Sequence, residues 1–471
     1  MRKGALLLLL AACASRPSPP AATPTAGPTT APVVPVRSAA WQVPANVVRP
    51  EAPKTFPEVS LDRWKRAPNP KASAACAGYA APRAARSTSL ASALSAATPE
   101  ERDALLAGRE PSEPELSRLV RADVAPPECG DSIVDSLLAQ KSHAKNEVEH
   151  ALVGFSLAGK LARTALSPPQ PGPSRDKAKI KEFIQGPLKK WMLTEASAIE
   201  QLSVIGRDLV GYGRGVVAIE AGTAELRLVD NIRSSPTPKE WDPELRQVYE
   251  AALDEALEPR KTRGRDAALV GLGDLAAAGA LHNARVDRAR AILSKLYGGR
   301  RIDALDGLLV PYERPAPPVS TWMAVKAPPD DGARTRFEAG RIYWQRAFFV
   351  EAARGSEHGN RPEDRLILAL SLALAKGPTS AAEMMRAPSP AALNLGHTEA
   401  LDELVAEGGP MAGLAAFDAA HLRALSPPDG DASAHFRDLA ARFQKAESLL
   451  QDPTQKQRAA TRATEAAATA H

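Results

Sequence analysis

The sequence predicts an all-α fold that follows an extended N-terminal segment. Hydrophobic residues make up 44% of the 471-residue chain but aromatic residues only 4%, and the apolar content is mostly alanine and leucine, which favour helices. The alternation of valine, isoleucine, threonine and tyrosine that is typical of strands is nearly absent. Segments with helical periodicity are separated instead by proline-rich breaks. Together these observations predict helices connected by loops.

The first twelve residues have the pattern of a secretory signal. Two basic residues precede an apolar run, Ala5 to Ala12, which is too short to span a bilayer because a spanning helix needs ~20 apolar residues. We therefore expect residues 1–12 to be a removable signal. The run ends in Leu10-Ala11-Ala12-Cys13, which resembles the lipobox of bacterial lipoproteins, where small residues precede an acylated cysteine. The alternative is a plain signal peptide that happens to be followed by a cysteine.

The lipobox resemblance implies that Cys13 carries fatty-acyl chains. Each buried methylene contributes ~0.8 kcal/mol, so several chains together hold a protein stably at a membrane. Ala14 stands where lipoproteins that stay in the inner membrane tend to have aspartate. The resemblance therefore implies an outer-membrane lipoprotein that faces the periplasm, with the inner membrane and the cell surface as alternatives.

The two ends of the chain have compositions that predict disorder. Residues 13–56 are rich in proline, alanine and threonine and poor in large apolar residues, so they cannot bury enough surface to offset their ordering entropy. We expect them to form a disordered, lipid-anchored linker. We expect the last residues, 451–471, to be a frayed or disordered low-complexity tail. Between these ends the sequence predicts an N-terminal helical region, a helical repeat region and a C-terminal repeat-like helical region, over 57–166, 175–310 and 330–450.

Capping patterns predict where several helices begin. Thr98-Pro99-Glu100-Glu101 places an N-cap, a proline and acidic residues in the order that a first turn favours, and Ser112-Glu113-Pro114-Glu115 repeats the pattern. A long helical stretch from Asp131 to Leu166 is expected to break near Ser142. Residues 243–257 are predicted as one amphipathic helix, and a separate helical segment is predicted over 266–297.

Charge and cysteine content limit the possible partners. The formal net charge is +5, and basic residues alternate with acidic ones, which predicts a solvated surface rather than a nucleic-acid site. After Cys13, the chain has Cys76 and Cys129, an even pair in an oxidising compartment. A disulfide between them is predicted, with two unpaired thiols as the alternative. No cofactor is expected.

Two segments share a spacing of small and large apolar residues. From Gly340, the offsets of three, seven, nine and twelve residues reach Tyr343, Ala347, Phe349 and Ala352. From Leu272, the same offsets reach Leu275, Gly279, Leu281 and Ala284, and Ala291 lies nineteen residues on. The spacing resembles the tetratricopeptide repeat, a pair of antiparallel helices of about 34 residues.

The repeat resemblance implies a right-handed α-solenoid of antiparallel helical hairpins. Small residues would stand where the two helices of each hairpin cross, and large ones would fill the gaps. The stretch from Gly211 to Leu309, which includes GRGVVAIEAG, ALDEALEPRKTRGRDAALVGL and ARAILSKLYGGRRIDALDGLL, also resembles tetratricopeptide-type lipoproteins of deltaproteobacterial, myxobacterial type, which have no assigned activity to carry over. The alternative is an ordinary helical hairpin with small residues at the crossing.

The candidate chemical motifs favour structural roles. His143, Glu147 and His150 could touch one metal from one helix face, but a further ligand and an HExxH arrangement are missing, so solvated helix-face residues are favoured. The glycines of residues 211–215 lack the spacing of a phosphate loop and favour close helix contact or a break between helices. We assign no catalytic, cofactor-binding or metal-binding residue from the sequence.

These observations predict a tethered interaction module. Stacked helical pairs create a groove that binds a peptide or helix, so we expect the partner to be an envelope protein. One alternative is a helical envelope enzyme or binder that acts on peptidoglycan or polysaccharide, for which the sequence offers no diagnostic carboxylate pair. Another is a spacer between the outer membrane and the cell wall. Arg341, Gln345 and Glu351 are expected to be exposed on the best repeat, without an assigned role.

Overall fold

Helices dominate the computed structural model, which agrees with the predicted all-α class. The signal residues 1–12, Cys13 and Leu281 lie outside the described residues. The structure describes residues 38–45, 48–80, 89–172, 176–280, 283–296, 302–311, 332–386, 395, 397–426, 428 and 430–470.

The N-terminal region contains short helices and one long one. The predicted start at Thr98 is confirmed, because its Oγ1 accepts a hydrogen bond from the Glu101 amide at 3.1 Å. The break near Ser142 is also confirmed, since a two-residue strand, His143–Ala144, lies there and pairs antiparallel with Val59–Ser60. The elements are β1 (Val59–Ser60), α1 (Asp62–Lys65), α2 (Ala77–Ala80), α3 (Leu90–Leu94), α4 (Pro99–Ala107), α5 (Pro114–Val124), α6 (Gly130–Leu138), β2 (His143–Ala144) and α7 (Glu147–Ala162).

The central region is built on long helices. The predicted break after residue 257 is wrong, because one helix runs from Pro243 to Ala278. Its backbone stays helical past Pro259 because the following turns, from Gly264 onward, pack closely on a neighbouring helix, and this tertiary packing outweighs the local preference. The elements are α8 (Lys177–Phe183), a π-helical turn (Ile184–Leu188), α9 (Lys189–Arg207), α10 (Gly211–Arg233), α11 (Pro243–Ala278) and α12 (Ala284–Leu296).

The C-terminal region continues as helices to the end of the described chain. The expectation of a frayed tail is wrong, because Pro453–Thr469 forms a helix. The Asp452 carboxylate caps it by accepting a hydrogen bond from the Gln455 amide at 2.8 Å, and Ala459 and Ala463 are buried in a cluster with Phe443. The elements are α13 (Gly332–Tyr343), α14 (Arg346–Ser356), α15 (Pro362–Ala375), α16 (Ala381–Arg386), α17 (Glu399–Glu407), α18 (Ala412–Ala424), α19 (Ala432–Leu449) and α20 (Pro453–Thr469).

Most neighbouring helices in the sequence also pack against each other in space. This holds for α9 with α10, α10 with α11, α13 with α14 and α18 with α19, while α7 and α12 add contacts to α10 from elsewhere in the chain. Residues 40–471 form one compact unit. Within the described ranges, no helix is both long enough and apolar enough to cross a bilayer.

The predicted linker is shorter than expected at its C-terminal end. Trp41 is buried, and its Nε1 donates a hydrogen bond to the Glu403 carboxylate at 2.6 Å. Arg365 lies over the same indole ring, with its guanidinium carbon 5.7 Å from the ring centroid. An indole that finds both apolar contacts and a hydrogen-bond acceptor is held against the body, so the linker ends before Trp41 rather than at residue 56.

Candidate functional site

Helix α10 lies at the centre of the body and is held there by backbone contacts at glycines. A Cβ atom on Gly154 of α7 would lie 2.5 Å from the Gly213 carbonyl oxygen of α10. A Cβ on Gly222 of α10 would lie 2.7 Å from the Gly264 carbonyl oxygen of α11. The predicted role of the glycine-rich segment 211–215 in close helix contact is therefore confirmed at Gly213.

A buried polar network fixes α10 against α5 and α12. The Tyr212 hydroxyl donates a hydrogen bond to the Asp123 carboxylate at 2.7 Å, and the Asn283 amide donates to the Tyr212 oxygen at 2.8 Å. The Arg285 guanidinium donates to the Asp123 carbonyl oxygen at 2.8 Å and lies 4.6 Å from the Phe155 ring centroid. Burial, together with the Asp123 charge, raises the pKa of Tyr212 well above its ordinary value, so this hydroxyl stays protonated and acts as a donor.

A second buried group on α10 is the Glu220 carboxylate. It forms an ion pair with Arg288 of α12. Burial raises the pKa of Glu220, while the nearby arginines, Arg288 foremost, oppose that rise. On the same helix, Arg227 donates hydrogen bonds to the carbonyl oxygens of Ala162 and Thr164 at 2.9 and 2.5 Å. The Arg288 ion pair and the Arg227 bonds give these groups a structural role, and the second Glu220 oxygen, Oε2, is buried without a hydrogen-bond partner among the described residues.

The opposite side of α10 forms the floor of an open groove of about 260 Å³. Helices α9 and α11 form its walls. The floor carries small apolar side chains, Val217, Ala218 and Ala221, so the α10 backbone lies close to the groove surface. We call this the α10 groove; its remaining lining residues are Glu200, Ser203, Gly206, Arg207, Arg214, Glu225, Arg263, Asp266, Ala267 and Val270.

Ion pairs hold the charged rim of the α10 groove in place. Arg214 donates two hydrogen bonds to Asp274, at 2.7 and 2.6 Å, and these bonds raise the pKa of its guanidinium. Arg260 and Arg263 of α11 both donate to Glu225 of α10, at 2.7 and 3.0 Å. Charge-assisted bonds of this kind fix side-chain direction. The groove therefore presents an apolar strip between rims of both charge signs.

Val270 is the most solvent-accessible apolar group of the groove wall. It is 46% exposed, although it lies on the half of α11 that packs against α10. A strip of this kind suits apolar side chains that recur at helical spacing on a partner helix. The sequence contained one signal for this strip, the alanines at 218 and 221 of α10, which are one helical turn apart. An apolar helix face of this kind does not distinguish an open groove from a buried helix contact.

One predicted repeat segment packs as expected for a helical hairpin. A Cβ on Gly340 would lie 2.5 Å from Cε1 of Phe349, so the glycine lets α13 and α14 cross closely. Tyr343, Ala347 and Ala352 are buried beside this crossing. These residues stabilise the hairpin and do not form a surface site.

The other predicted repeat segment departs from that pattern. Leu272 and Leu275 are buried on α11. Gly279, expected at a helix crossing, instead ends α11 in the left-handed region with φ of 76°, where a residue without Cβ is favoured. Ala284 and Ala291, also expected at a crossing, are exposed on α12. The residue seven positions after the start of the shared spacing, Gly279, therefore lies in the turn here. In the α13–α14 hairpin the corresponding residue, Ala347, lies inside the second helix.

The two body cysteines form a disulfide, Cys76–Cys129, that joins the start of α2 to the start of α6. Next to it, Arg163 binds the Asp131 carboxylate with two hydrogen bonds of 2.6 and 2.7 Å and also donates to the Glu128 carbonyl oxygen at 2.7 Å. The bridge ties the segment before α2 to the start of α6, and the ion pair ties α6 to the end of α7.

The three residues considered for a metal do not share a helix face. His143 lies on β2, before α7 begins at Glu147. His150 is buried rather than solvated: one ring nitrogen lies 2.9 Å from the Pro57 carbonyl oxygen, and the other accepts a hydrogen bond from the Val210 amide at 3.3 Å. Within the described part of the chain, no cluster of three potential metal ligands occurs.

Arg341 was expected on the surface but is only 1% exposed at its side chain. It forms an ion pair with Glu338 and donates to the Leu305 carbonyl oxygen, both at 3.0 Å. The segment of residues 302–309 that it binds also rests on α18, where His421 lies 2.9 Å from the Ala304 carbonyl oxygen. Burial lowers the pKa of His421 to about 4.

Comparison of the chain with protein-family models, with curated proteins and with solved structures gave no match.

Proposed function

We propose that the protein is a lipid-anchored interaction module of the bacterial cell envelope that binds a partner protein through the α10 groove. The observation that carries the proposal is the open apolar strip on α10 between charged walls. Such a strip is suited to an amphipathic helix or peptide, because small floor residues let the partner's apolar side chains approach the backbone. The partner we propose is an envelope protein with an exposed amphipathic helix.

The anchor belongs to the same proposal. Acylation of Cys13, suggested by Leu10-Ala11-Ala12-Cys13, would place the body at the periplasmic face of the outer membrane. The residues between Cys13 and Trp41 would then determine the reach of the body from the bilayer. A tetratricopeptide-like, right-handed arrangement of the hairpins is also part of this proposal, supported by the pairwise packing of neighbouring helices and by the α13–α14 crossing.

A pull-down from the native envelope tests the groove. The bait is the lipidated protein, compared with Ala218→Phe, which fills the groove floor, and with Ala251→Phe, which adds the same ring at an exposed position of α11 outside the groove. We expect Ala218→Phe to lose a defined set of envelope proteins that the wild type and Ala251→Phe both retain. Equal retention by all three baits would contradict a role for the groove.

The same experiment separates the anchor from the groove. In high salt, a Cys13→Ala variant should leave the membrane fraction, and it should keep the groove-dependent proteins when added to a detergent extract. Binding or degradation of cell-wall material by the body, with no protein retained by any bait, would instead favour the alternative of an enzyme or binder that acts on peptidoglycan.

A further inference from the structure

Helix α8 and the first turns of α9 carry a concentration of lysine that sets them apart from the rest of the chain. The segment of residues 176–206 contains five lysines and no arginine, in a chain whose other basic residues are mostly arginine. All five side chains are exposed, and none forms an ion pair with any residue that the structure describes. We call these residues together with Leu193 the lysine face; its lysines are Lys177, Lys179, Lys181, Lys189 and Lys190.

The π-helical turn between α8 and α9 aligns three of these lysines. The buried residues Ile180, Phe183 and Leu188 are spaced by three and then five, one residue more than an α-helix allows for a single face. The π turn at Ile184–Leu188 takes up that additional residue, so the buried face continues from α8 into α9. By the same offset, the lysine at position 189 returns to the outward face that carries those at 177 and 181.

Exposed apolar groups accompany the charges. Leu193 is 57% exposed and lies one helical turn after Lys189 and Lys190, so it is flanked by both ammonium groups. Trp191 and Met192 next to it are partly exposed. An apolar groove of about 230 Å³ opens beside α8, with lysines 177 and 181 among its lining residues; the apolar members of that lining are Ile180, Ile184, Pro236, Pro238, Trp241 and Tyr249.

We propose that the lysine face is a membrane-contact surface that rests on a bilayer with anionic headgroups. Charge complementarity identifies the occupant, because five exposed lysines, three of them on one outward face, form no ion pair with any residue that the structure describes. They outnumber the two exposed carboxylates among them, Asp176 and Glu182. Lysine stems extend their aliphatic part along an apolar boundary while the ammonium remains hydrated, and the exposed Leu193 beside them can enter the headgroup region. A surface that carries lysine and no arginine is less suited to a protein interface, because arginine is enriched and lysine depleted in such interfaces.

The expected strength of binding to the bilayer follows from the number of lysines. Each lysine near an anionic bilayer surface strengthens binding by about fivefold, so removing all five should weaken it by at least about a hundredfold even if the effects overlap. The inference goes beyond the proposed function, since it concerns a contact of the body itself with the bilayer. It does not require the acyl anchor or the α10 groove.

Co-sedimentation with vesicles tests the lysine face without the anchor. The chain of residues 14–471 lacks Cys13 but keeps the whole compact unit 40–471. It is mixed with vesicles of phosphatidylcholine alone or with equal parts of phosphatidylcholine and phosphatidylglycerol. One variant replaces the five lysines of the face by glutamine, and the matched control replaces five other exposed lysines by glutamine, namely Lys54, Lys65, Lys71, Lys445 and Lys456.

We expect the wild type and the control to sediment with the phosphatidylglycerol vesicles and to be released by high salt, and the five-lysine variant to lose this binding. A second variant, Leu193→Ser, should weaken binding several-fold without removing its salt dependence. Equal binding to both kinds of vesicle, equal loss in the variant and the control, or no binding to either vesicle would overturn the proposal. Binding to poly-glutamate but not to vesicles would overturn it in favour of an acidic protein partner.

Discussion

The substitution Gly154→Ala tests whether backbone contact between α7 and α10 holds the body together. The new Cβ would lie 2.5, 2.7 and 2.9 Å from three backbone atoms of Gly213. Relief of the closest contact to the roughly 3.3 Å at which carbon and carbonyl oxygen normally meet requires α7 and α10 to separate by about 0.8 Å. No side-chain rotation can provide that space, because every atom in the contact belongs to the backbone.

The expected cost can be set against the gain in helix propensity. Alanine is favoured over glycine inside a helix by about 1 kcal/mol. Overpacking in a well-packed core costs about 1–3 kcal/mol, and a gap approaching 1 Å along the rest of the interface forfeits a quarter to a half of each dispersion contact there. We therefore expect a net loss of about 2 kcal/mol in the free energy of unfolding, measured by urea denaturation.

Gly273→Ala is the matched control for this substitution. Gly273 also lies inside a long helix, α11, but a Cβ there would meet no atom within 4 Å. The control should therefore raise the free energy of unfolding by about 0.5–1 kcal/mol. If Gly154→Ala proved as stable as Gly273→Ala, the close crossing of α7 and α10 would be wrong.

Further predictions concern the buried polar groups, the disulfide and the C-terminus. Arg285→Met should lower the free energy of unfolding by about 3–5 kcal/mol because it leaves the Asp123 carboxylate buried without its cation, and the urea midpoint measures this loss. Replacement of both disulfide cysteines by serine, which opens a loop with a sequence separation of 53, should cost about 4 kcal/mol in the same assay. The pKa of His421 is lowered to about 4 in the folded state, below that of an unfolded histidine, so the unfolded state binds the proton first as the pH falls. The contribution of neutral His421 to the free energy of unfolding is therefore fully present above about pH 6.5 and falls by about 3 kcal/mol as the pH declines towards 4. In a His421→Gln variant, the urea midpoint should depend less on pH over this range. Deletion of α20 should uncover the apolar face of α19 and make that helix sensitive to limited proteolysis, whereas a frayed tail could be removed without effect.

Local signals in the sequence were sufficient for part of the fold. The all-α class followed from composition, and the start of α4 from the cap at Thr98. The α13–α14 hairpin could be anticipated because Gly340 and Phe349 are close in sequence, so the helical period determines which of their neighbours face each other.

The features that the sequence did not predict depend on long-range packing. Helix α11 continues past Pro259 because α10 supports it, and α20 is ordered because its alanines pack on α19. Arg341 and His150 are polar residues whose burial depends on partners far away in sequence, at residues 305 and 57. The α10 groove arises from three helices that together leave only a narrow strip of α10, at Ala218, partly accessible, and no single helix pattern contains that information.

The most direct test of the central claim is site-specific photo-crosslinking in intact cells from two valines of α11. Val270 lies on the wall of the α10 groove and Val248 on the same helix outside it, and both are exposed, by 46% and 61%. With a photoreactive residue at either position, the proposed function predicts a discrete crosslinked envelope protein from position 270, lost when Ala218→Phe fills the groove, and none from position 248. Identical crosslinks from both positions, or crosslinks from position 270 that persist in the Ala218→Phe background, would contradict a partner bound in the groove.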